Sequence, residues 1–349
     1  MTQGGPVPSA AVGRYHQDAA GNISGSQVRS VAGNTAAEEI SGTITSATVT
    51  KTQQDKVSLG TVKNIQLEIS FRQQEARDGD AKAQYLLGRF YMTRTGVSQD
   101  FEAAANWYRK SATQGFADAE FALGHLYEQG KGVPRDYQQA VFYYTAAAKQ
   151  EHPTAENNLG SLYEHGQGVH KDLHQAVIWY QKGAEHGDVT AQCNLASLYF
   201  TGRGLARNYP QAAAWFRTAA ERGYAPAQKL LAWMYYNGIG AKLDYSEAAK
   251  WVRTAAEQGY APAQLDLGYL YEQGKGLPLD YSLAFMWYKA AANAGEKRVG
   301  ARLKSLSTLL THEQIRKATA EAAQLSASPS TVSGAAPSNG IGSLFVGRR

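Results

Sequence analysis

Cysteine is almost absent from this 349-residue sequence, and Cys193 is the single one. A lone cysteine excludes an intrachain disulfide framework of the kind that holds small secreted domains together. Long apolar runs are missing too, so we expect neither the hydrophobic core of a standard signal peptide nor a membrane-spanning helix. The sequence predicts a cytoplasmic protein, and the alternative is secretion without a standard signal peptide.

The motifs of several enzyme classes are missing as well. We find no Walker-type phosphate-binding loop, no GxSxG, no SxxK, no CxxC and no HExxH. Five histidines lie between positions 152 and 186, but the closest two, His170 and His174, flank Asp172, which is suited to begin a helix. We interpret these histidines as solvent-facing and predict no enzyme activity, no catalytic residue, no metal site and no cofactor.

A large excess of one charge is also lacking. The formal net charge is +5, and residues 79–294 contain 20 basic and 20 acidic side chains, so the excess lies outside that range. Affinity for a nucleic-acid backbone rises with the number of phosphates that a protein neutralises. A balanced surface therefore predicts no nucleic-acid partner.

What the sequence does contain is a repeat of 36 residues without insertion or deletion. Repeat position 5 is always alanine, position 9 always leucine and position 13 always tyrosine, as in Ala119, Leu123 and Tyr127. A fixed period of this size indicates stacked supersecondary units that share one continuous core. The six repeats are 79–114, 115–150, 151–186, 187–222, 223–258 and 259–294.

Each repeat has the pattern of two helices joined by a glycine-containing turn. The three apolar positions named above lie on one face of a first helix. In the second repeat, Gly130 and Gly132 then supply a turn, and Asp136 is a suitable N-cap for a second helix. Alanines and an aromatic residue at position 29, such as Tyr143, complete the predicted inner face.

These columns, with the strings AEFALGHLYEQGKG from Ala119 and AQLDLGYLYEQGKG from Ala263, resemble the Sel-one-like repeat (SLR) family. That family is an α/α solenoid class related to tetratricopeptide repeats. The resemblance implies an all-α fold, a right-handed α/α superhelical solenoid of six 36-residue helix-turn-helix repeats with helical caps. Penicillin binding or β-lactam hydrolysis has been claimed for some cysteine-rich secreted members, but their cysteine pairs are missing here.

The segments on either side of the repeats divide into caps and tails. Residues 63–78 are predicted to form an N-terminal capping helix because Phe71 and Ala76 continue the second-helix columns. Residues 295–324 are predicted to form C-terminal capping helices, one of which begins with a capping box of Thr311 and Gln314. Residues 1–62 and 325–349 are poor in large apolar residues, so we predict that they are disordered.

The first helices have a second face whose residues vary between repeats while the packed face does not. In related helical arrays the first helices line a concave groove, so the resemblance implies that a protein or peptide segment binds on this face. Exposed aromatic rings among amides and carboxylates suit a peptide groove. The predicted partner-binding residues are Tyr85, Arg89, Phe121, His125, Glu128, Asn157, Glu164, Asn194, Phe200, Trp233, Tyr236, Asn237, Tyr269 and Glu272.

The aromatic members of this set also have a plainer interpretation. Tyr85, Phe121, Phe200 and Trp233 occupy columns that the helical core does not need, and they would then only fill the space between adjacent repeats. Both interpretations stay open at this point.

Together these features favour a protein-interaction scaffold or adaptor that binds a partner segment in the concave groove. One alternative is a secreted bacterial effector that uses the same groove on a host protein. The start of the chain, rich in serine and threonine and without an acidic residue before Asp18, resembles a type III secretion leader. The other alternative, a hydrolase acting on β-lactam or cell-wall substrates, is disfavoured by the missing cysteine pairs.

Overall fold

The computed structural model describes residues 72–93 and 99–327, and every regular element in these ranges is a helix. The first helices of the repeats are α1 (Ala81–Thr93), α3 (Ala117–Gln129), α5 (Pro153–His165), α7 (Val189–Thr201), α9 (Ala225–Asn237) and α11 (Ala261–Gln273). The second helices are α2 (Phe101–Ala112), α4 (Tyr137–Ala148), α6 (Leu173–Glu185), α8 (Tyr209–Glu221), α10 (Tyr245–Glu257) and α12 (Tyr281–Asn293). The predicted all-α array of six 36-residue helix-turn-helix repeats is confirmed.

Local sequence signals set the helix ends. The first helix α3 ends at Gly130, whose φ of 68° is in the left-handed region that glycine adopts without strain. The second helix α4 begins after Asp136, whose side chain accepts hydrogen bonds from the backbone N–H groups of Gln138 and Gln139. The same capping role is played in the other repeats by Asp100, Asp172, Asn208, Asp244 and Asp280.

The core follows the predicted columns with one correction. Leu123 and its counterparts are buried, but the second-helix ring at position 29 is not the innermost one. Tyr143 is half-buried, whereas Tyr144 at position 30 is 0% exposed. Positions 26, 30 and 33 lie on one face of a helix at spacings of four and three residues, and position 29 lies at the edge of that face.

Neighbouring repeats contact each other through both helices, and at two of the five junctions the first helices also lie close together. The pairs α5 with α7 and α9 with α11 meet directly, while no two second helices in the described ranges approach as closely. Helices crowd on the inner side of a curved stack. We infer that the first helices lie on the concave side.

The described ends of the array are covered by short helical segments. Residues 72–77 are helical, and Ala76 packs against Ala83 and Leu87; residues 63–71 of the predicted cap lie outside the described range. At the other end, a 3₁₀ turn (Lys297–Val299) precedes α13 (Gly300–Ser307) and α14 (His312–Ala327).

Helix α14 packs on α12 and closes the array. Its predicted capping box forms, since the Thr311 N–H donates to Gln314 Oε1 at 2.9 Å and the Gln314 N–H donates to Thr311 Oγ1 at 3.2 Å. The helix continues to Ala327, beyond the predicted boundary at residue 324. The predictions for residues 1–62 and 328–349 fall outside the described residues.

One helix junction carries backbone strain. Glu151 has a φ of 59° at a position where the other repeats have glycine, and it is the one non-glycine residue with positive φ in the described ranges. A residue with a Cβ costs roughly 1–2 kcal/mol in this region of φ compared with glycine. Glycine has more freedom in the unfolded chain, and this offsets part of that difference. We expect Glu151→Gly to raise the free energy of unfolding, measured in urea, by up to about 1 kcal/mol.

The matched control for this prediction is Glu151→Ala, which removes the same carboxylate but keeps a Cβ at positive φ. It should not stabilise the protein. Equal gains from both variants would assign the effect to the charge of Glu151 and not to its backbone.

Candidate functional site

The candidate site is the variable face of the first helices, formed by repeat positions 7, 8, 11, 14 and 15; we call it the groove face. Most of its predicted residues are partly exposed, and Asn237 is exposed. Three are buried: Asn157 and Asn194 are each 8% exposed and Glu164 is 2% exposed. These three were predicted as partner contacts, and the structure corrects this, because their side chains are covered by neighbouring repeats.

Aromatic rings on the groove face join adjacent repeats. The Phe200 ring lies 5.5 Å from that of Trp233, nearly edge to face, and the Phe121 ring stacks on His152 of the next repeat at 4.6 Å. The Tyr85 ring lies 5.4 Å from Phe116. The rings fill space between repeats, as the plainer interpretation expected, and each also keeps part of its surface exposed.

The carboxylates of this face are held by tyrosines of the second helices. The Tyr144 hydroxyl donates to Glu128 Oε2 at 2.6 Å, and the Tyr180 hydroxyl donates to Glu164 Oε2 at 2.9 Å. In the sixth repeat the Tyr288 hydroxyl donates to Glu272 Oε2 at 2.5 Å. Each glutamate is therefore fixed in orientation from inside its own repeat.

Hydrogen bonding also sets the acidity of Glu128. Its partial burial raises the pKa, but the adjacent His125 and the hydrogen bond from Tyr144 favour the carboxylate form and outweigh burial, so the pKa lies below its ordinary value. The carboxyl group of Glu128 is therefore an acceptor and a negative charge at neutral pH, not a proton donor.

Cations reach this face from the turn of the following repeat. Arg203 Nη1 donates to Glu164 Oε1 at 3.0 Å, and Lys275 Nζ donates to the hydroxyl of Tyr236 at 2.8 Å. From the C-terminal cap, Arg302 Nη1 donates to Glu272 Oε2 at 2.5 Å. These bonds link each groove residue to the next unit of the array.

The remaining exposed members make local contacts. Asn237 Nδ2 donates to the Trp233 carbonyl oxygen at 2.9 Å. Arg89 lies over the ring of Tyr85, 6.0 Å from its centre. His125 lies beside Glu128, with 3.6 Å between Nδ1 and Oε2. These side chains lie at the surface and are accessible to a partner.

A buried row of polar side chains runs beneath the groove face. Asn194 Nδ2 donates to Asn157 Oδ1 at 3.0 Å between the third and fourth repeats. Between the fifth and sixth repeats, Lys229 Nζ lies 3.4 Å from Asp266 Oδ2, with both side chains at most 4% exposed. Burial raises the pKa of Asp266 to about 6, although Lys229 and Arg298 act to lower it.

Sequence reasoning missed the Lys229–Asp266 pair and the tyrosines that hold the carboxylates. A signal for the tyrosines was present in the repeat columns. Where position 30 is tyrosine, position 10 is glycine, and the two repeats with alanine there have Phe216 or Val252 instead. A Cβ on Gly160 would lie 2.6 Å from the Tyr180 ring, so the glycine makes room for a ring that crosses the helix.

The prediction of solvent-facing histidines is wrong for His152, which is partly covered, and is confirmed for His186, which is exposed. His152 Nδ1 accepts a hydrogen bond from the Ala155 N–H and caps α5. His186 Nδ1 lies 2.7 Å from Glu156 Oε2, and this hydrogen bond raises the pKa of His186. His152 is partly covered where it caps a helix, whereas His186 stays exposed while it bonds to Glu156 of the first helix.

The described residues include one thiol, that of Cys193, and many histidine and carboxylate side chains. Among them, no group of three or more histidine, cysteine, aspartate or glutamate side chains is arranged to hold a metal ion. Cys193 is 0% exposed, and burial raises the pKa of its thiol. In residues 72–93 and 99–327 no helix is both long and apolar enough to span a membrane.

The repeat geometry agrees with a known family. The Sel1 repeat model matches the chain six times in succession, at residues 81–116, 117–152, 153–188, 189–224, 225–260 and 261–296. The chain belongs to the Sel1 repeat family. Sel1 repeats mediate protein–protein interaction, and the Sel1 solenoid fold is typically non-enzymatic.

Solved structures of Sel1 repeat proteins from bacteria are similar to this chain. A protective antigen present in uropathogenic Escherichia coli strains, which displays an SLR fold, is 34% identical with a TM-score of 0.66; the match covers 74% of this chain and 56% of that protein. The chain thus corresponds to little more than half of that antigen.

A Sel1 repeat protein from Oxalobacter formigenes is 31% identical with a TM-score of 0.61, and the match covers 68% of this chain and 95% of that one. A comparison with curated proteins gave no significant match.

Proposed function

We propose that this Sel1 repeat protein is a scaffold that binds a segment of another protein on its groove face. The observation that carries the proposal is the series of aromatic rings along that face, which are partly exposed although they lie on the crowded side of the array. Tyr85, Phe121, Trp233 and Tyr269 all belong to it. Rings of this kind are the usual anchors of protein interfaces.

The architecture supports binding of an extended segment. Each repeat adds one first helix to the face, so a linear partner meets new side chains at every repeat. The rings are held by neighbouring repeats and the carboxylates by tyrosines, as described above. Because these groups are already oriented, little side-chain freedom is lost on binding.

The exposed part of the predicted set is the proposed contact surface. Asn157, Glu164 and Asn194 support it from beneath. The proposed contact residues are Tyr85, Arg89, Phe121, His125, Glu128, Phe200, Trp233, Tyr236, Asn237, Tyr269 and Glu272.

Panning a displayed library of random linear peptides on the full chain tests this function. We expect enriched peptides to bind in solution and to lose about 2 kcal/mol or more of binding free energy when Trp233 is replaced by alanine. Calorimetry with the synthetic peptides gives the affinity.

Trp215→Ala is the matched control. Trp215 is also a half-buried tryptophan that packs against two buried clusters, but it lies on the second helix α8. Both variants should lose thermal stability, and only Trp233→Ala should lose peptide affinity. Equal losses of affinity from both, or no enriched peptide, would contradict the proposal.

A further inference from the structure

At two junctions between repeats, the cation at repeat position 17 lies near position 14 of the preceding repeat. The group that it meets there differs between the two junctions. At the third and fourth repeats the cation is Arg203, which meets the carboxylate of Glu164 at 3.0 Å. At the fifth and sixth repeats the cation is Lys275, which meets the hydroxyl of Tyr236 at 2.8 Å. At the first junction a carboxylate compensates the cation, and at the second no carboxylate of the described residues does.

Tyrosines surround the ammonium group of Lys275. Its Nζ lies 4.9 Å from the centre of the Tyr236 ring and 5.3 Å from that of Tyr245. Among the described residues no carboxylate oxygen lies within 4.0 Å of this nitrogen. Three N–H donors and a full charge are therefore held in place with one hydroxyl acceptor among the described residues.

The neighbouring cation is not available in the same way. Arg302 is bonded to Glu272 at 2.5 Å and lies over the ring of Tyr269, 5.1 Å from its centre. Its charge is compensated by that carboxylate. Among the described residues, Lys275 is thus the cation of this part of the groove face that no carboxylate compensates.

Apolar surface adjoins this charge. Trp233 lies one helical turn before Tyr236 on α9, and on α11 burial, followed by the influence of Tyr236, raises the pKa of Tyr269. All three rings are partly exposed. A ligand group that reaches Lys275 from the groove therefore has aromatic surface beside it.

We propose that Lys275, with Trp233, Tyr236 and Tyr269, forms a subsite for an acidic residue of the bound segment, whose carboxylate accepts a hydrogen bond from Lys275 Nζ while an adjacent apolar side chain packs on the rings. This subsite rests on the proposed function. A carboxylate matches one ammonium group in charge and in hydrogen-bonding capacity.

A nucleic-acid backbone fits this surface less well. Its repeated phosphates need several cations along their path, whereas the described residues place two here, Lys275 and Arg302, and Arg302 is already paired with Glu272. The charge therefore favours an acidic protein segment.

The enriched peptides from the panning experiment test the subsite directly. We expect them to contain aspartate or glutamate next to an aromatic or aliphatic residue, and replacing the acid by its amide should weaken binding about tenfold, because hydrogen bonds to charged groups are among the stronger ones. The Lys275→Gln variant should show the same loss with the acidic peptide and no further loss with the amide peptide. Fluorescence anisotropy of labelled peptides measures all four affinities.

Lys131→Gln is the control, because Lys131 occupies the same repeat position in the second repeat and lies over the ring of Phe101 instead. Its affinity for the acidic peptide should match that of the unmodified chain. Lys275→Glu should select against acidic peptides, and its circular dichroism melt measures separately what loss of the Tyr236 hydrogen bond costs the fold.

The outcomes separate this inference from the proposed function. Peptides that bind through Trp233 without a preference for acids would leave the scaffold function standing and overturn the acidic subsite. A double-stranded DNA or RNA probe that binds through Lys275 more tightly than the acidic peptide would also overturn it. The absence of any Trp233-dependent peptide would contradict both.

Discussion

Replacing Gly204 by alanine should lower the free energy of unfolding by about 2–5 kcal/mol. Gly204 has a φ of +76°, and a Cβ at this position would lie 2.6 Å from the carbonyl oxygen of Leu173, the first residue of α6. The loss adds a backbone conformation that costs about 1–2 kcal/mol to a clash that only a shift of backbone relieves. Urea unfolding gives the free energy.

Hydrogen exchange should locate the effect of this substitution. The turn of the fourth repeat rests against the start of α6 in the third repeat, so amides in α6 and α8 should lose the most protection. Residues in α1 and α12 have no contact with this junction and should keep theirs.

Gly223→Ala separates the two contributions. Gly223 has a φ of +87°, but a Cβ there would meet nothing within 4 Å. It should cost only the net effect of the positive φ, up to about 1 kcal/mol, because the lost freedom of glycine in the unfolded chain offsets part of the strain. If the two variants were equally stable, close approach of the turn to α6 would not be what requires glycine at position 204.

The helical array was predictable because its columns are constant and their physical requirements are simple. Alanine at position 5 and leucine at position 9 are buried in every repeat, and both are read directly from the helical period. Aspartate or asparagine before each second helix has one favourable role there, which is to cap it. For such residues, the local preference for a helix or a cap agrees with the role that the residue has in the folded array.

The polar bonds between repeats were not predicted, although one of them had a signal. Position 6 is glutamine or glutamate in all six repeats. Gln192 Nε2 donates to the carbonyl oxygen of Ala184, the last but one residue of the preceding second helix, at 3.1 Å. A polar residue at the edge of an apolar helix face is usually predicted to be exposed. Its presence in all six repeats was the signal that it is buried instead, where Gln192 donates a hydrogen bond to a buried carbonyl oxygen.

The candidate site was predicted as a face but not in its details. Variable columns identify where the core imposes no requirement, and Trp233 and Tyr269 in such columns are partly exposed; their role in binding stays a prediction. Variation does not distinguish an exposed residue from one covered by its neighbour. Asn157 and Asn194 vary because they bond to each other, which requires the three-dimensional stacking of two repeats.

Replacing Lys229 by methionine should lower the free energy of unfolding by about 3–5 kcal/mol near pH 7. The substitution removes the cation that faces Asp266 and leaves a carboxylate that is 0% exposed, with neither oxygen hydrogen-bonded to a described residue. Arg298 and Glu296, the other charges that act on this carboxyl, oppose each other. Urea unfolding near pH 7 and near pH 5 measures the loss.

The pH dependence follows from the pKa of Asp266. In the unmodified chain this pKa is about 6, above its value of about 3.9 in an unfolded chain. The folded state therefore binds the proton more tightly, and this contribution to stability is full below about pH 4 and is lost as the pH rises through 6. Without Lys229 the pKa rises further, so the variant should recover most of its loss near pH 5, where the carboxyl is protonated.

The double variant Lys229→Met with Asp266→Leu tests whether the unpaired buried charge of Asp266 causes the loss of stability in Lys229→Met. Two well-packed apolar side chains need no desolvation, so its stability near pH 7 should equal or exceed that of the unmodified chain by about 1–4 kcal/mol. Its dependence on pH between about 4 and 6 should also flatten, because the titrating group is gone. A double variant as unstable as Lys229→Met would contradict this explanation. The lysine would then stabilise the fold through the packing of its methylene groups, and burial of the two charges would not lower the stability of the unmodified chain.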